Sequence, residues 1–242
     1  MRIATTLNAR AVEIHVIAGG GIGAPLKELA ARFERASGHT VVIRFGTTPE
    51  LIELATTGAA FDAGVVPGEV LADAAARERF ATGHSTDIAR VGLGVAVRAG
   101  TARPDIGTAD ALRQALLGAR SIATLPASAA GAQVLKVFDE LGIGESLRPR
   151  IRAQPNAARL VEAVRSGEAE LGVFLLNVLA APGLDVVGPL PADLQKHIAY
   201  TASVAASARQ REAAGAFIAF LTTPTAAAVL EKHGMEPARV RR

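Results

Sequence analysis

The stretch VEIHVIAGGGIGAPLKEL, from Val12 to Leu29, decides the fold of this chain. Its first residues are apolar and β-branched, which predicts a buried strand. Four glycines then fall within five positions, from Gly19 to Gly23, and they allow a sharp turn and a close approach to a ligand. A turn without a ligand would need only one or two of them. Pro25 suits the first turn of a helix, and the free N–H groups at that helix start can bind an anion.

The composition narrows the classes of function. The chain has 242 residues, half of them hydrophobic, which is enough for one large domain or two small ones with a substantial core. A net charge of +3, no tryptophan and one tyrosine give no support for nucleic-acid binding, and we expect none. Cysteine is absent, which excludes disulfides and thiolate metal sites. The five histidines show no metal-ligand spacing, so we expect neither a metal nor a cofactor.

The N-terminus bears on where the protein acts. The first residues, MRIATTLNARAVEIHV, contain no apolar segment of signal-peptide length and no cleavage site. We therefore expect a cytoplasmic location for the chain as written, and a periplasmic one if a leader has been removed. No run reaches about 18 apolar residues, so we expect no insertion into a membrane.

Strand and helix patterns alternate along the chain, which is typical of α/β proteins with parallel, doubly wound sheets. Gly38 and Gly167 are expected to end helices, and Asn156 is expected to cap one. Strands are predicted over 12–17, 41–45, 61–66, 88–98, 120–124, 151–153, 171–175, 185–187 and 198–205. Helices are predicted over 25–37, 49–58, 69–80, 109–116, 129–141, 157–166, 209–221 and 224–232.

Several segments, taken in order, give the chain a resemblance to a known family. They are AGGGIGAPLKELAARFERASGHTVVIRFGTT, then ELIELATTGAAFD (50–62), LPASAAGA (125–132), GEAELGV (167–173) and FLTTPTAAAVLEKHGM (220–235). Together they resemble the molybdate-binding proteins of ABC importers, which are type II periplasmic binding proteins. The resemblance covers nearly the whole chain.

The resemblance implies two doubly wound α/β lobes joined by two crossover strands, with the ligand held between them. Lobe 1 would contain residues 1–88 and 206–242, and lobe 2 residues 89–205, with crossovers near 91–97 and 199–204. It also implies a hinge closure, a monomer, a small-molecule anion as ligand and an ABC importer permease as candidate partner.

The resemblance further implies a set of oxyanion contacts, and this chain departs from it. Hydroxyl positions of the family fall on Gly21, on Thr47 or Thr48, and on Leu175, while backbone N–H positions fall near Ala130 and Ala157. Because glycine and leucine carry no hydroxyl, two of the three side-chain donors are missing. Fewer donors hold a small dianion poorly, and the smaller side chains make room. An organic carboxylate is therefore expected rather than molybdate.

Further ligand contacts are candidates beside these positions. Gly20 lies in the glycine turn, and Ser128, Asn177 and Arg44 each follow or end a predicted strand near the family's ligand-facing loops. Each has a plainer interpretation: Ser128 as a helix N-cap, Asn177 as a turn residue, and Arg44 as an exposed charge. Arg159 is a weaker candidate, for which a solvated helix face is the favoured interpretation.

Two other classes of function stay open. Aconitate isomerases resemble the molybdate-binding proteins, and such an enzyme needs a base for a proton shift; His15, Glu50, Asp62 and His197 are conceivable bases, and nothing in the sequence selects one.

The second alternative is an NADP-binding enzyme. Gly19, Gly21 and Ala24 fit a G-x-G-x-x-A pattern between a strand and a helix, and Arg44 could meet a 2′-phosphate. Against this, Pro25 crowds the helix start that a pyrophosphate would use.

Overall fold

The computed structural model describes residues 11–81, 83 and 85–238. The prediction that the chain has no export leader rests mainly on residues 1–10, which lie outside this range. The strands are β1 Glu13–Gly19, β2 Thr40–Gly46, β3 Ala63–Pro67, β4 Thr86–Arg98, β5 Ile122–Thr124, β6 Ile151–Ala153, β7 Leu171–Leu175, β8 Leu184–Pro189, β9 His197–Val204 and β10 Glu236–Pro237.

Helices connect most of these strands. They are α1 Gly23–Ser37, α2 Thr48–Thr56, α3 Gly68–Ala72, α4 Ala74–Arg77, α5 Ala109–Gly118, α6 Ala129–Glu140, α7 Gly144–Leu147, α8 Ala157–Ser166, α9 Leu176–Leu179, α10 Arg211–Leu221 and α11 Pro224–Lys232. Short 3₁₀ turns cover Gly20–Ile22 and Arg148–Arg150. The predicted α/β class is confirmed.

The strands are hydrogen-bonded in the order β2-β1-β3-β9-β4-β7-β5-β6, and β8 and β10 also pair with β4. β1 is parallel to β2 and β3, and β5 is parallel to β6 and β7. β4 and β9 are antiparallel to their neighbours. The alternation along the chain indicated the parallel pairs but not the direction of β4 and β9, because hydrophobic patterning is the same in both directions.

The long strand β4 joins two halves of this sheet. Its first part, up to Gly92, pairs with β9, and from Leu93 onward it pairs with β7 and then β8. At the changeover the side chain of Gln195 accepts a hydrogen bond from Leu93 N–H at 2.8 Å and donates one to Leu93 O at 2.9 Å. β9 lies wholly in the first half, between β3 and β4. The lobe boundaries at 88 and 205 stay a prediction.

Local capping sets the ends of several helices. Gly38 ends α1 and Gly167 ends α8 with φ of 76° and 84°, a backbone conformation that glycine adopts readily, as expected. The Asn156 side chain caps α8 as predicted. The single helix predicted over 69–80 is instead two short ones, because Asp73 is extended and its side chain caps α4.

The C-terminal helices pack back onto the first half of the sheet. The Phe33 ring of α1 lies 5.2 Å from the Phe217 ring and 5.7 Å from the Phe220 ring, both on α10. Helix α11 also packs against α1. In the described ranges no single helix is long and apolar enough to cross a membrane; α10 and α11 pass such a test only together, and they meet at a bend of 62°.

Candidate functional site

A cavity of about 310 Å³ lies between the two halves of the sheet. The first half contributes Gly19, Gly20, Gly21, Phe45, Gly46, Thr47, Thr48, Glu50, Pro67, Ile198 and Tyr200. The second half contributes Leu125, Ser128, Ala129, Ala130, Pro155, Asn156, Ala157, Phe174 and Leu175. Most of the positions proposed from the sequence are thus brought together: Gly20, Gly21, Thr47, Thr48, Ser128, Ala130, Ala157 and Leu175.

Two of the proposed residues lie outside the cavity lining. Arg44 is exposed on β2 and lines a separate surface pocket with Glu50 and Glu53. Asn177 lies outside the lining but contacts one of its residues, since its Nδ2 donates a hydrogen bond to Gly21 O at 2.7 Å. Arg159 is half-exposed and lies 3.8 Å from the Glu168 carboxylate, as its solvated interpretation implies.

Three helices begin at this cavity, and the glycine turn before a fourth helix, α1, forms part of its wall. The glycine turn leads into α1, Thr48 begins α2, and the first turns of α6 and α8 present Ala130 and Ala157. The caps Ser128 and Asn156 accept hydrogen bonds from N–H groups deeper in α6 and α8. The N–H groups of Ala130 and Ala157 have no acceptor among the described residues. Such N–H groups, at the positive ends of helix dipoles, attract negative charge.

Two of the predicted hydroxyls are used within their own turns. Thr47 donates to the Glu50 carboxylate from its backbone N–H at 2.7 Å and from its hydroxyl at 2.9 Å. These two bonds, and to a lesser extent the charge of Arg44, lower the pKa of Glu50. Ser128 donates its hydroxyl to Leu125 O at 2.8 Å. Neither hydroxyl proton is directed to a ligand in this arrangement.

Thr48 is used differently, because its hydroxyl reaches across the cavity. Its Oγ1 accepts a hydrogen bond from the backbone N–H of Ala129 at 2.9 Å. Because the oxygen is the acceptor in this bond, the hydroxyl proton of Thr48 can still be donated to a ligand.

Sequence reasoning missed Tyr200, the only tyrosine in the chain. Its side chain comes from β9, lines the cavity and is 2% exposed. Burial, and secondarily the charge of Glu69, raises the pKa of its hydroxyl well above the usual range, so the group stays neutral. A lone tyrosine in an otherwise apolar and small-residue strand was the signal that could have singled it out.

The expectation that Gly21 leaves room for a larger ligand is wrong at that position. A Cβ atom on Gly21 would overlap the Tyr200 hydroxyl and the Cδ1 methyl of Leu175. The volume that a side chain at residue 21 would have used is therefore filled by two neighbours. One of them restores a hydroxyl to this part of the cavity.

The structure separates the four conceivable bases. Glu50 lines the cavity. Asp62 is buried and accepts backbone hydrogen bonds from His15, Arg209 and Gln210, which is a structural role. The His15 side chain pairs with Glu13, and that of His197 lies 3.8 Å from Glu236, in both cases away from the described lining. In the described part of the chain no group of three or more histidine or carboxylate side chains could hold a metal ion.

Comparison with known proteins gives a consistent result. The family model described as bacterial extracellular solute-binding protein matches residues 14–236. The aconitate isomerase of Pseudomonas sp is 32% identical over 230 residues, covering 92% of this chain and 87% of that protein. The molybdate-binding protein ModA of Azotobacter vinelandii is 26% identical, covering 93% and 90%.

A solved structure supports the same fold. The Azotobacter vinelandii periplasmic molybdate-binding protein superposes with a TM-score of 0.77 at 21% identity, covering 94% of this chain and 100% of that one. The predicted resemblance and the predicted fold class, that of type II periplasmic binding proteins, are confirmed.

Proposed function

This chain belongs to the family of bacterial extracellular solute-binding proteins, and we propose that it binds a small organic carboxylate in the cavity between the two halves of the sheet. Known anion-binding relatives, such as the molybdate-binding proteins, support the general class of ligand. The carboxylate preference is the finer part of the proposal.

The convergence on one cavity of three helix N-termini and of the glycine turn before α1 carries the anion proposal. The described lining contains no lysine or arginine, so negative charge would be held by N–H groups and hydroxyls. The ionised Glu50 lies on the first-half side. A carboxylate would therefore be placed against Ala130 and Ala157, at the starts of α6 and α8, and away from Glu50.

The rest of the lining favours a carbon skeleton over a bare tetrahedral anion. Pro67, Leu125, Phe174, Leu175 and Ile198 present apolar side chains to the cavity. Its volume lies at the lower end of the roughly 300–1,000 Å³ range of small-molecule pockets, which suits an acid of several carbon atoms. The 32% identity to an aconitate isomerase supports the same ligand class, because aconitate is a tricarboxylate.

A panel of anions tests the proposal. The midpoint of thermal unfolding would be measured with cis-aconitate, trans-aconitate, citrate, molybdate and sulfate, followed by calorimetric titration of each ligand that shifts it. At a hundredfold excess over Kd a ligand adds about 2.7 kcal/mol to the free energy of unfolding. Stabilisation by a carboxylate supports the proposal. Stabilisation by molybdate or sulfate alone would overturn the carboxylate preference but would still support an anion-binding site in the cavity.

Isomerisation of a bound carboxylate is the second candidate function, and the aconitate isomerase relative favours it. A proton shift needs a base at the ligand, and Glu50 is the carboxylate that the described lining offers. Its lowered pKa keeps it ionised and makes it a weak base. Ultraviolet absorbance separates the two functions, because interconversion of cis- and trans-aconitate changes the spectrum and binding alone leaves the isomer ratio unchanged.

The transport setting is also a proposal. The description of the family as extracellular, and the periplasmic molybdate-binding structure that this fold matches, favour action outside the cytoplasm. An ABC importer permease would be the partner there. Ligand-dependent co-purification with the membrane fraction that holds such a permease would test it.

NADP binding is not proposed, because Arg44, the residue suggested for the 2′-phosphate, lies outside the cavity.

A further inference from the structure

We propose that the Tyr200 hydroxyl is the main side-chain hydrogen-bond donor to the bound carboxylate, and that Gly21 is required because it lets this hydroxyl into the cavity. The inference rests on the proposed anion-binding function and extends it. Tyr200 is not among the contact positions that the family resemblance implies, and Gly21 is a position where the family pattern has a hydroxyl and this chain has none.

The position of the Tyr200 hydroxyl is the first support. The Tyr200 side chain is 2% exposed, but its hydroxyl is not among the fully enclosed unpaired atoms of the described residues, which are Thr124 Oγ1 and Asn177 Oδ1. It makes no hydrogen bond to another described residue, and a largely buried polar group needs a partner from the protein, water or a ligand. The hydroxyl belongs to a residue of the cavity lining, where a ligand oxygen can be that partner.

The neighbours of the ring give the second support. Tyr200 pairs with Pro67 on β3 and with Ala89 on β4, so the strand backbone on both sides fixes its position. A Cβ atom at Gly19 would lie 2.9 Å from the Tyr200 ring, and one at Gly21 would overlap the hydroxyl. Glycine at both positions is therefore what allows a full tyrosine side chain to extend along the glycine turn toward the ligand.

The chemistry of the group suits a carboxylate. The raised pKa keeps the phenol protonated at neutral pH, so it acts as a donor and brings no negative charge to the site. A hydrogen bond from a neutral donor to a carboxylate oxygen is a charge-assisted bond, which is stronger than one between neutral groups. Tyr200 would thereby do for a carboxylate what a hydroxyl at residue 21 does in the family pattern.

The chain offers an unusually direct measurement, because it has one tyrosine and no tryptophan. Intrinsic fluorescence, and the NMR signal of a selectively labelled tyrosine ring, therefore report on Tyr200 alone. Saturation with the aconitates, citrate, molybdate or sulfate should change both signals for each anion that binds. An unchanged ring signal at saturation, with binding proven by calorimetry, would overturn the inference.

Substitution supplies the second test. Tyr200→Phe removes the hydroxyl and keeps the ring, and it should weaken carboxylate binding about 10- to 100-fold. Ser203→Ala is the matched control, since it removes a buried hydroxyl from the same strand, on the opposite face and away from the described lining. Gly21→Ala should also weaken binding, and its effect should not add to that of Tyr200→Phe, because both act on the same hydroxyl.

The outcomes separate this inference from the function on which it rests. If the wild-type chain binds none of the five anions, the proposed function fails and the inference fails with it. If the wild-type chain binds a carboxylate and folded Tyr200→Phe binds it equally well, the function stands and the role of Tyr200 is overturned. Circular dichroism of each variant establishes that loss of binding is not loss of fold.

Discussion

The hydroxyl oxygen of Thr48 accepts a hydrogen bond from the backbone N–H of Ala129 at 2.9 Å, although 81 residues separate them in the chain. The bond joins the start of α2 to the start of α6 and so bridges the two halves of the sheet. A second bridge runs from Asn177 Nδ2 to Gly21 O at 2.7 Å. Both bridges hold the cavity walls together through groups of the chain itself.

The first prediction concerns the two neighbouring threonines. Thr48→Val removes both the bridge to Ala129 and a hydroxyl that can donate to a ligand, so it should weaken binding by about 1–3 kcal/mol. Thr47→Val is the matched control, because its hydroxyl is already bonded to Glu50, and binding should change by less than about 0.5 kcal/mol. Calorimetric titration measures both. Equal losses would mean that the Thr47 hydroxyl leaves Glu50 to meet the ligand.

The second prediction concerns closure of the two halves. If the two bridges hold the closed arrangement, the double variant Thr48→Val with Asn177→Leu should be more open without ligand. Its radius of gyration by small-angle scattering should exceed that of the wild-type chain and fall again on saturation with a carboxylate, as in a hinge closure. Equal radii for the two proteins at every ligand concentration would show that the bridges do not control the opening.

The third prediction removes a single N–H group from the cavity. Ala157 is the first residue of α8, and the Asn156 backbone before it is extended, which is the conformation that a following proline favours. Ala157→Pro should therefore fold normally and lose the N–H that is proposed to face the ligand. Loss of one charge-assisted hydrogen bond should weaken binding by about 1.5–3 kcal/mol.

Two controls accompany the proline variant. Ala109→Pro makes the same change at the first residue of α5, where the preceding Thr108 is also extended, and it lies outside the described cavity lining. Ala157→Val adds bulk at the cavity and keeps the N–H. Binding unchanged in Ala157→Pro, or lost equally in Ala157→Val, would argue against a role for this N–H group.

Much of the fold was predictable, because the signals that define it are local. The bounds of β6, β7 and α11 agree with the sequence prediction, since buried strands and capped helices are marked by their own residues and by adjacent glycine, proline and asparagine. The antiparallel course of β4 was not predictable in this way. Strand direction depends on which segments meet after folding, and hydrophobic alternation is the same in both directions.

The cavity illustrates the same division. Backbone N–H groups at Ala130 and Ala157 were predicted to face the cavity from helix starts and from the family pattern, and both residues lie in the cavity lining. Tyr200 could not be placed, because its contact with the glycine turn depends on the pairing of β9 with β3, from a segment more than 130 residues away. The inference of extra space at Gly21 failed for the same reason, since it considered a missing side chain without the neighbour that replaces it.

The last prediction concerns stability at acid pH. The Glu28 carboxylate on α1 accepts hydrogen bonds from Arg32 at 2.7 Å and Lys232 at 3.2 Å and lies 3.0 Å from the His233 ring nitrogen. These contacts, with His233 first, lower the pKa of Glu28 from 4.5 to about 2. A carboxyl group with a pKa lower in the folded than in the unfolded state stabilises the fold fully above the unfolded value and loses this contribution as pH falls toward the folded one. Glu28→Gln should therefore lower the melting midpoint at neutral pH, and its difference from the wild-type chain should shrink between about pH 4.5 and pH 2.

Thermal melts across this pH range measure the difference. The control is Glu145→Gln, which removes an exposed carboxylate paired with Arg148 and should show little effect at any pH. A difference between Glu28→Gln and wild type that stays constant down to pH 2 would mean that this cluster does not link the C-terminal helix α11 to α1 through charge.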